Sequence, residues 1–187
     1  MRLANLIIKK TTIRLMILSF VLFLFFSIIV LPAENDRMAA LSNGMGSPDV
    51  SFFYSPADLE QMAQAYGEQG RAAYIYARWT FDVIFPLVYG TFLTITIAWL
   101  CGKLFSENQP HRLIICFPVF AMLFDFLENS ATSLVMALYP QINHGIATLA
   151  PIFTMLKWIS IGVSFLLVIL MATVFVIRKS NIGVKVK

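Results

Sequence analysis

The sequence predicts an all-α fold, an integral membrane four-helix bundle with a short extracytoplasmic amphipathic helix, and three observations carry that prediction. Hydrophobic residues make up 59% of the 187 residues and charged ones 13%, against about half and about a quarter in a soluble domain. The mean hydropathy is +0.78, and the apolar residues gather in four runs long enough to cross a bilayer at about 1.5 Å per residue. Within three of those runs the polar side chains share one helix face.

Residues 1–12, with Arg2, Lys9 and Lys10, form a basic N-terminal segment, and span 1 occupies 13–31. Leu15 to Leu31 is apolar apart from Ser19 and Ser27. A secretory signal has the same order, but its apolar core runs to ~7–15 residues before a small-residue cleavage site. The longer run here, with Leu31 at the −3 position before Ala33, reads as a retained anchor, a cleaved signal being the alternative.

Residues 32–78 form the segment between spans 1 and 2. Pro32 and Asn43-Gly44-Met45-Gly46-Ser47-Pro48 mark 32–55 as a turn-rich linker. A helix near 56–66 follows, with Ser55 as cap, Pro56 in the first helical position and Asp58 closing a capping box. Leu59, Met62, Ala63 and Tyr66 make its apolar stripe, and Gly67 and Gly70 are expected to break it. This helix is expected on the membrane surface or against the other spans.

Span 2 covers 79–101, continuing a helix begun near Arg71, and a turn at 102–112 leads to span 3 at 113–138. A second turn at 139–149 precedes span 4 at 150–177, and 178–187 is a basic tail. With the N terminus, the 102–112 turn and the tail on one side, ten of the fourteen Lys and Arg fall there. The positive-inside rule makes that side cytoplasmic, so 32–78 and 139–149 are extracytoplasmic. This distribution fits a multi-pass protein of a cytoplasmic (inner) membrane with both termini cytoplasmic.

The same distribution argues against a nucleic-acid partner, because the basic residues flank apolar runs instead of forming a stripe. The bilayer itself is the expected partner, and a lipid-like ligand, another membrane protein or a second copy is compatible with the chain. Cys101 and Cys116 lie near the cytoplasmic ends of neighbouring spans, where thiols stay reduced, and read as packing residues. No cofactor is expected, since no phosphate loop, catalytic triad, dithiol pair or haem motif occurs. Asp82, Glu128 and His144 lack any metal-ligand spacing, so no metal is expected either.

The chemistry concentrates in Phe124-Asp125-Phe126-Leu127-Glu128-Asn129-Ser130-Ala131-Thr132, in the middle of span 3. An acid at the centre of a membrane helix costs on the order of 2.5–3.5 kcal/mol on insertion scales, so it must face protein or a wet cavity. At 3.6 residues per turn, Asp125, Glu128, Asn129, Thr132 and Tyr139 fall within an arc of about 100°. On span 2, Arg78, Pro86, Tyr89 and Thr96 lie within about 40° of Asp82. Lys157, Ser160 and Ser164 share a face of span 4. Three such faces on three helices are expected to meet.

Arg78 and Asp82 suit a local i, i+4 ion pair, and Pro86 removes the helical hydrogen bond to the carbonyl of Asp82. Lys157 is expected to pair with Glu128, leaving the deeper Asp125 the better placed to hold a proton. Asp125 and Glu128 are thus candidate catalytic residues, with Tyr89, Asn129, Lys157, Asp82 and Arg78 lining a pocket. Three functions are compatible with this set. One is a pocket for an amphiphile or a partner's membrane segment. The second is acid–base catalysis on a lipid-like substrate, and the third is proton-coupled transport by an oligomer. Interhelical hydrogen bonding alone accounts for much of the polarity at Asn129, Thr132, Ser160 and Ser164.

The runs Thr80-Phe81-Asp82-Val83-Ile84-Phe85-Pro86-Leu87-Val88-Tyr89-Gly90, Phe124 to Asn129 and Leu156-Lys157-Trp158 resemble those of small four-span bacterial membrane proteins without assigned activity. That resemblance implies four spans over about residues 52–177 and no reaction. In residue types alone, the acids and Asn129 are also similar to the helical-bundle pocket of membrane isomerases of the emopamil-binding type, an analogy of mechanism.

Overall fold

The computed structural model describes residues 2–42, 44–107 and 109–184, the last three through their backbone. Lys185 and Lys187 of the basic tail, and Asn43 of the turn-rich stretch, lie outside the described residues. The chain is all-helical among those residues, and four helices are long and apolar enough to cross a membrane. They cover Ile13–Leu41, Pro56–Leu104, Pro110–Leu138 and His144–Asn181. Side chains such as Ile17, Leu18, Ile28, Ile169 and Val176 stay more than half exposed, a surface that only lipid or another apolar partner would cover. The chain is a small multi-span membrane protein.

The N-terminal segment is itself helical: α1 spans Arg2–Lys10. Its buried face, Ala4 and Ile8, packs with Ile97, Ala98 and Cys101. Thr12 then leaves the helical region and accepts a hydrogen bond from the Leu15 N–H at 3.3 Å, capping α2, Ile13–Phe25. The linker expected from residue 32 begins only after Leu41. Span 1 runs through a π turn at Phe26–Val30 into α3, Leu31–Leu41. The physical reason is local. Pro32 in mid-helix would clash with the carbonyl of Ile28. The widened turn just before it, in which the Leu31 N–H reaches the Phe26 carbonyl, absorbs that misfit. Beyond Pro32, Ala33, Glu34, Arg37, Met38, Ala39, Ala40 and Leu41 are good helix formers.

Helix α4, Pro56–Arg78, starts on the expected capping box. The Ser55 hydroxyl accepts from the Asp58 N–H at 3.2 Å, and the Asp58 carboxylate accepts from the Ser55 N–H at 2.8 Å. Gly67, at φ 63°, kinks the helix, a conformation available cheaply to glycine. Gly70, expected to share in the break, sits within the helix instead. It lets α3 approach so closely that a Cβ there would meet the Leu41 carbonyl oxygen at 2.8 Å. Across the kink, Arg71 donates to the Ala63 carbonyl at 2.9 Å and lies over the Tyr139 ring. The buried face of α4, with Leu59, Ala63, Tyr66 and Tyr74, packs on Ala131, Val135, Met136, Ala147 and Ala150.

A break at Trp79-Thr80 separates α4 from α5, Phe81–Leu104. A 3-10 turn at Pro110–Cys116 leads into α6, Phe117–Leu138. Helix α7, His144–Val184, begins six residues before the expected start of span 4. Thus the turn expected at 102–112 is shorter, and so is the one at 139–149. Helices α5, α6 and α7 pack on one another, while span 1 lies chiefly against α5. Cys101 and Cys116 are free thiols.

Candidate functional site

The polar faces of α5, α6 and α7 turn inward, and with Arg78 at the end of α4 the residues they carry are almost wholly buried: Asp82, Asp125, Glu128, Asn129, Lys157 and Ser160. Two ion pairs organise them. Lys157 Nζ lies 2.5 Å from Glu128 Oε2, in the most secluded part of the bundle, where Glu128 has 0% exposure. Its second oxygen accepts from the Thr154 hydroxyl at 2.7 Å, and Thr154 in turn meets the Tyr54 hydroxyl at 3.0 Å.

Arg78 holds the second pair, 2.5 Å from Asp82 Oδ2. It also pairs with Asp49, a residue the sequence reading passed over. Asp49 sits in a 3-10 turn, Pro48–Val50. It accepts hydrogen bonds from Ser47 at 2.6 Å and from Tyr74 at 3.2 Å. Burial pushes the Asp49 carboxyl up, but the Arg78 guanidinium, with Lys157 and these two donors, outweighs it and holds the group below its ordinary value of 3.8. The Tyr54 phenol is pushed up by burial and by the Glu128 carboxylate, so it stays a hydrogen-bond donor.

Asn129 answers Pro86. The proline leaves the Asp82 carbonyl without its helical donor, and Asn129 Nδ2 donates to that oxygen at 3.1 Å. A buried acceptor is thereby satisfied across two helices. Replacing Asn129 by Leu is expected to cost about 1–3 kcal/mol, the penalty for stranding a buried polar group. In a Pro86→Ala background, where residue 86 regains its N–H, the cost should nearly vanish. A double-mutant cycle on detergent-phase unfolding checks this, and purely additive effects would break the link.

Asp125 stands apart from both pairs. It is 7% exposed, and Tyr89 donates to its Oδ2 at 2.9 Å. Its other oxygen has no hydrogen-bond partner among the described residues. Asp125, Tyr89, Asp82, Arg78 and Lys157 border a cavity of about 240 Å³. Phe23 of span 1, Phe81 and Phe85 of α5, and Trp158, Ile161 and Phe165 of α7 form its apolar walls, and Ser27 of span 1 lines it too. Glu34 and Met38 of α3, with Ser47, Asp49 and Val50, roof it.

Of the sequence-predicted set, therefore, five residues border the cavity. Glu128 and Asn129 do not, being turned into the helix packing. Of the two candidate acids, Asp125 lines the cavity and Glu128 does not. Among the described residues no group of three or more His, Cys, Asp or Glu is placed to hold a metal ion. Asp49, Tyr54 and Thr154 were missed. Thr154 stands one turn before Lys157 on the same face, a signal the helical spacing carries. Asp49 and Tyr54 lie in irregular chain, where no period marks them.

No family model, curated protein or solved structure matches the chain.

Proposed function

We propose that the cavity holds the polar head of an amphiphile whose tail leaves sideways between span 1 and α7. The observation that carries this is the mixed lining of the cavity. Arg78, Asp82, Asp125 and Lys157 share it with Phe23, Ile161 and Phe165. At about 240 Å³ the space is below the ~300–1,000 Å³ that takes a whole small molecule. It suits a head group with its first carbons. The remaining tail needs a lateral exit, and span 1, packed chiefly on α5, meets α7 at a ring contact of Phe23 with Phe165 at 6.1 Å. On the topology set by the positive residues, in an inner membrane with both termini cytoplasmic, the cavity lies toward the extracytoplasmic half.

Native mass spectrometry of gently extracted protein tests the proposal. The wild type is expected to carry a lipid-sized adduct that Ile161→Trp, which narrows the cavity at an apolar wall, displaces. Adducts retained equally by both proteins would place the lipid on the outer surface and sink the reading.

A further inference from the structure

Deepening that reading, we infer that the head group is a cation, an alkylammonium held by Asp125 against an aromatic wall. The charges around the cavity are unevenly matched. Arg78 faces two acids, Asp49 and Asp82. Lys157 is met by Glu128, and Glu34 on the roof is met by Arg37. Among the described residues Asp125 has no basic partner within ion-pair distance; it accepts from the Tyr89 hydroxyl. With every group ionised, five carboxylates would stand against three cations, a surplus of two negative charges that either protons, as expected for Asp125, or a bound cation relieves. An anionic head would add to that surplus in a low-dielectric site, where like charges repel strongly. A cationic head relieves it.

The wall beside Asp125 has the matching chemistry. Phe81 stacks on Phe85 with centroids 5.6 Å apart, and Phe85 meets Tyr89 edge to face at 5.7 Å. Tyr89 then delivers its hydroxyl to Asp125. Three rings in file thus lead to one carboxylate whose second oxygen has no hydrogen-bond partner among the described residues, and Trp158 lines the same space. Ring faces attract cations, quaternary ammonium groups above all, and the attraction grows when the site is desolvated. A carboxylate with aromatic rings beside it in a partly apolar cavity suits the head of an amphiphilic amine.

The test compares hexyltrimethylammonium, hexyl phosphate and hexanol as protectants of the full chain against thermal unfolding in neutral detergent. Hexyltrimethylammonium is expected to raise the midpoint by several degrees as it saturates the site, the phosphate not at all and the alcohol little. Asp125→Asn should weaken the ammonium at least tenfold. Should that variant fail to fold, Phe85→Leu keeps the acid and should weaken the ammonium severalfold while leaving hexanol unchanged. Equal protection by all three compounds would overturn the charge selection and leave the amphiphile site standing. Protection by none would remove both.

Discussion

Replacing Lys157 with Met is expected to destabilise the protein by about 3–5 kcal/mol, the loss that follows when one partner of a buried ion pair is removed. The reason is Glu128, which has 0% exposure and would keep only the Thr154 hydroxyl as a donor. Trapping a lone carboxylate there costs far more than the pair itself contributes. Pairing the change with Glu128→Gln removes the stranded charge, so the double variant should recover most of the loss. Unfolding of the four proteins in mixed micelles reads this as a strong favourable coupling. A loss below about 1 kcal/mol for Lys157→Met, within the range of an exposed pair, would mean that water reaches Glu128.

Replacing Arg78 with Met is expected to cost at least as much, because it strands Asp49 and Asp82 together. This pair also ties the 3-10 turn at Pro48–Val50 to the end of α4, so the roof of the cavity should loosen. The pH dependence follows from Asp49, whose folded pKa lies below its ordinary value of 3.8. A depressed acid contributes stability that is fully present above its unfolded pKa. That stability is lost as the pH falls through the folded value. The wild type should therefore weaken below about pH 4, where an unfolded Asp takes up its proton. Asp49→Asn should be less stable at neutral pH and lack that contribution to the acid loss. An acid limb of identical depth in both proteins would assign the loss elsewhere.

Much of the fold was legible because bilayer and helix impose strong periods. Arg78, Asp82, Tyr89, Asn129 and Lys157 are polar residues spaced to fall on single faces of apolar runs, and a hydrocarbon surround leaves such faces nowhere to go but inward. Pro86 announced a free carbonyl at Asp82, although not that Asn129 would fill it. The rest depended on long-range geometry. Asp49 finds Arg78 across 29 positions of chain, through a turn without periodicity. Tyr54 joins Thr154 across 100. Pro32 read as the end of a helix because the compensating π turn at Phe26–Val30 has no sequence signature. Asp125 and Glu128 both lie on the inner face of α6, and the partners that tell them apart, Tyr89 for one and Thr154 for the other, turn on side-chain geometry that spacing does not carry.

The most direct measurement is photolabelling with a diazirine-bearing alkylammonium amphiphile, followed by peptide mapping, with and without excess unreactive competitor. Competed labelling is expected to be confined to the cavity wall, at residues such as Phe85, Trp158 and Phe165, and to be lost in Asp125→Asn. Labelling spread over the lipid-facing residues Leu18, Ile169 and Val176, undiminished by competitor, would contradict the proposal.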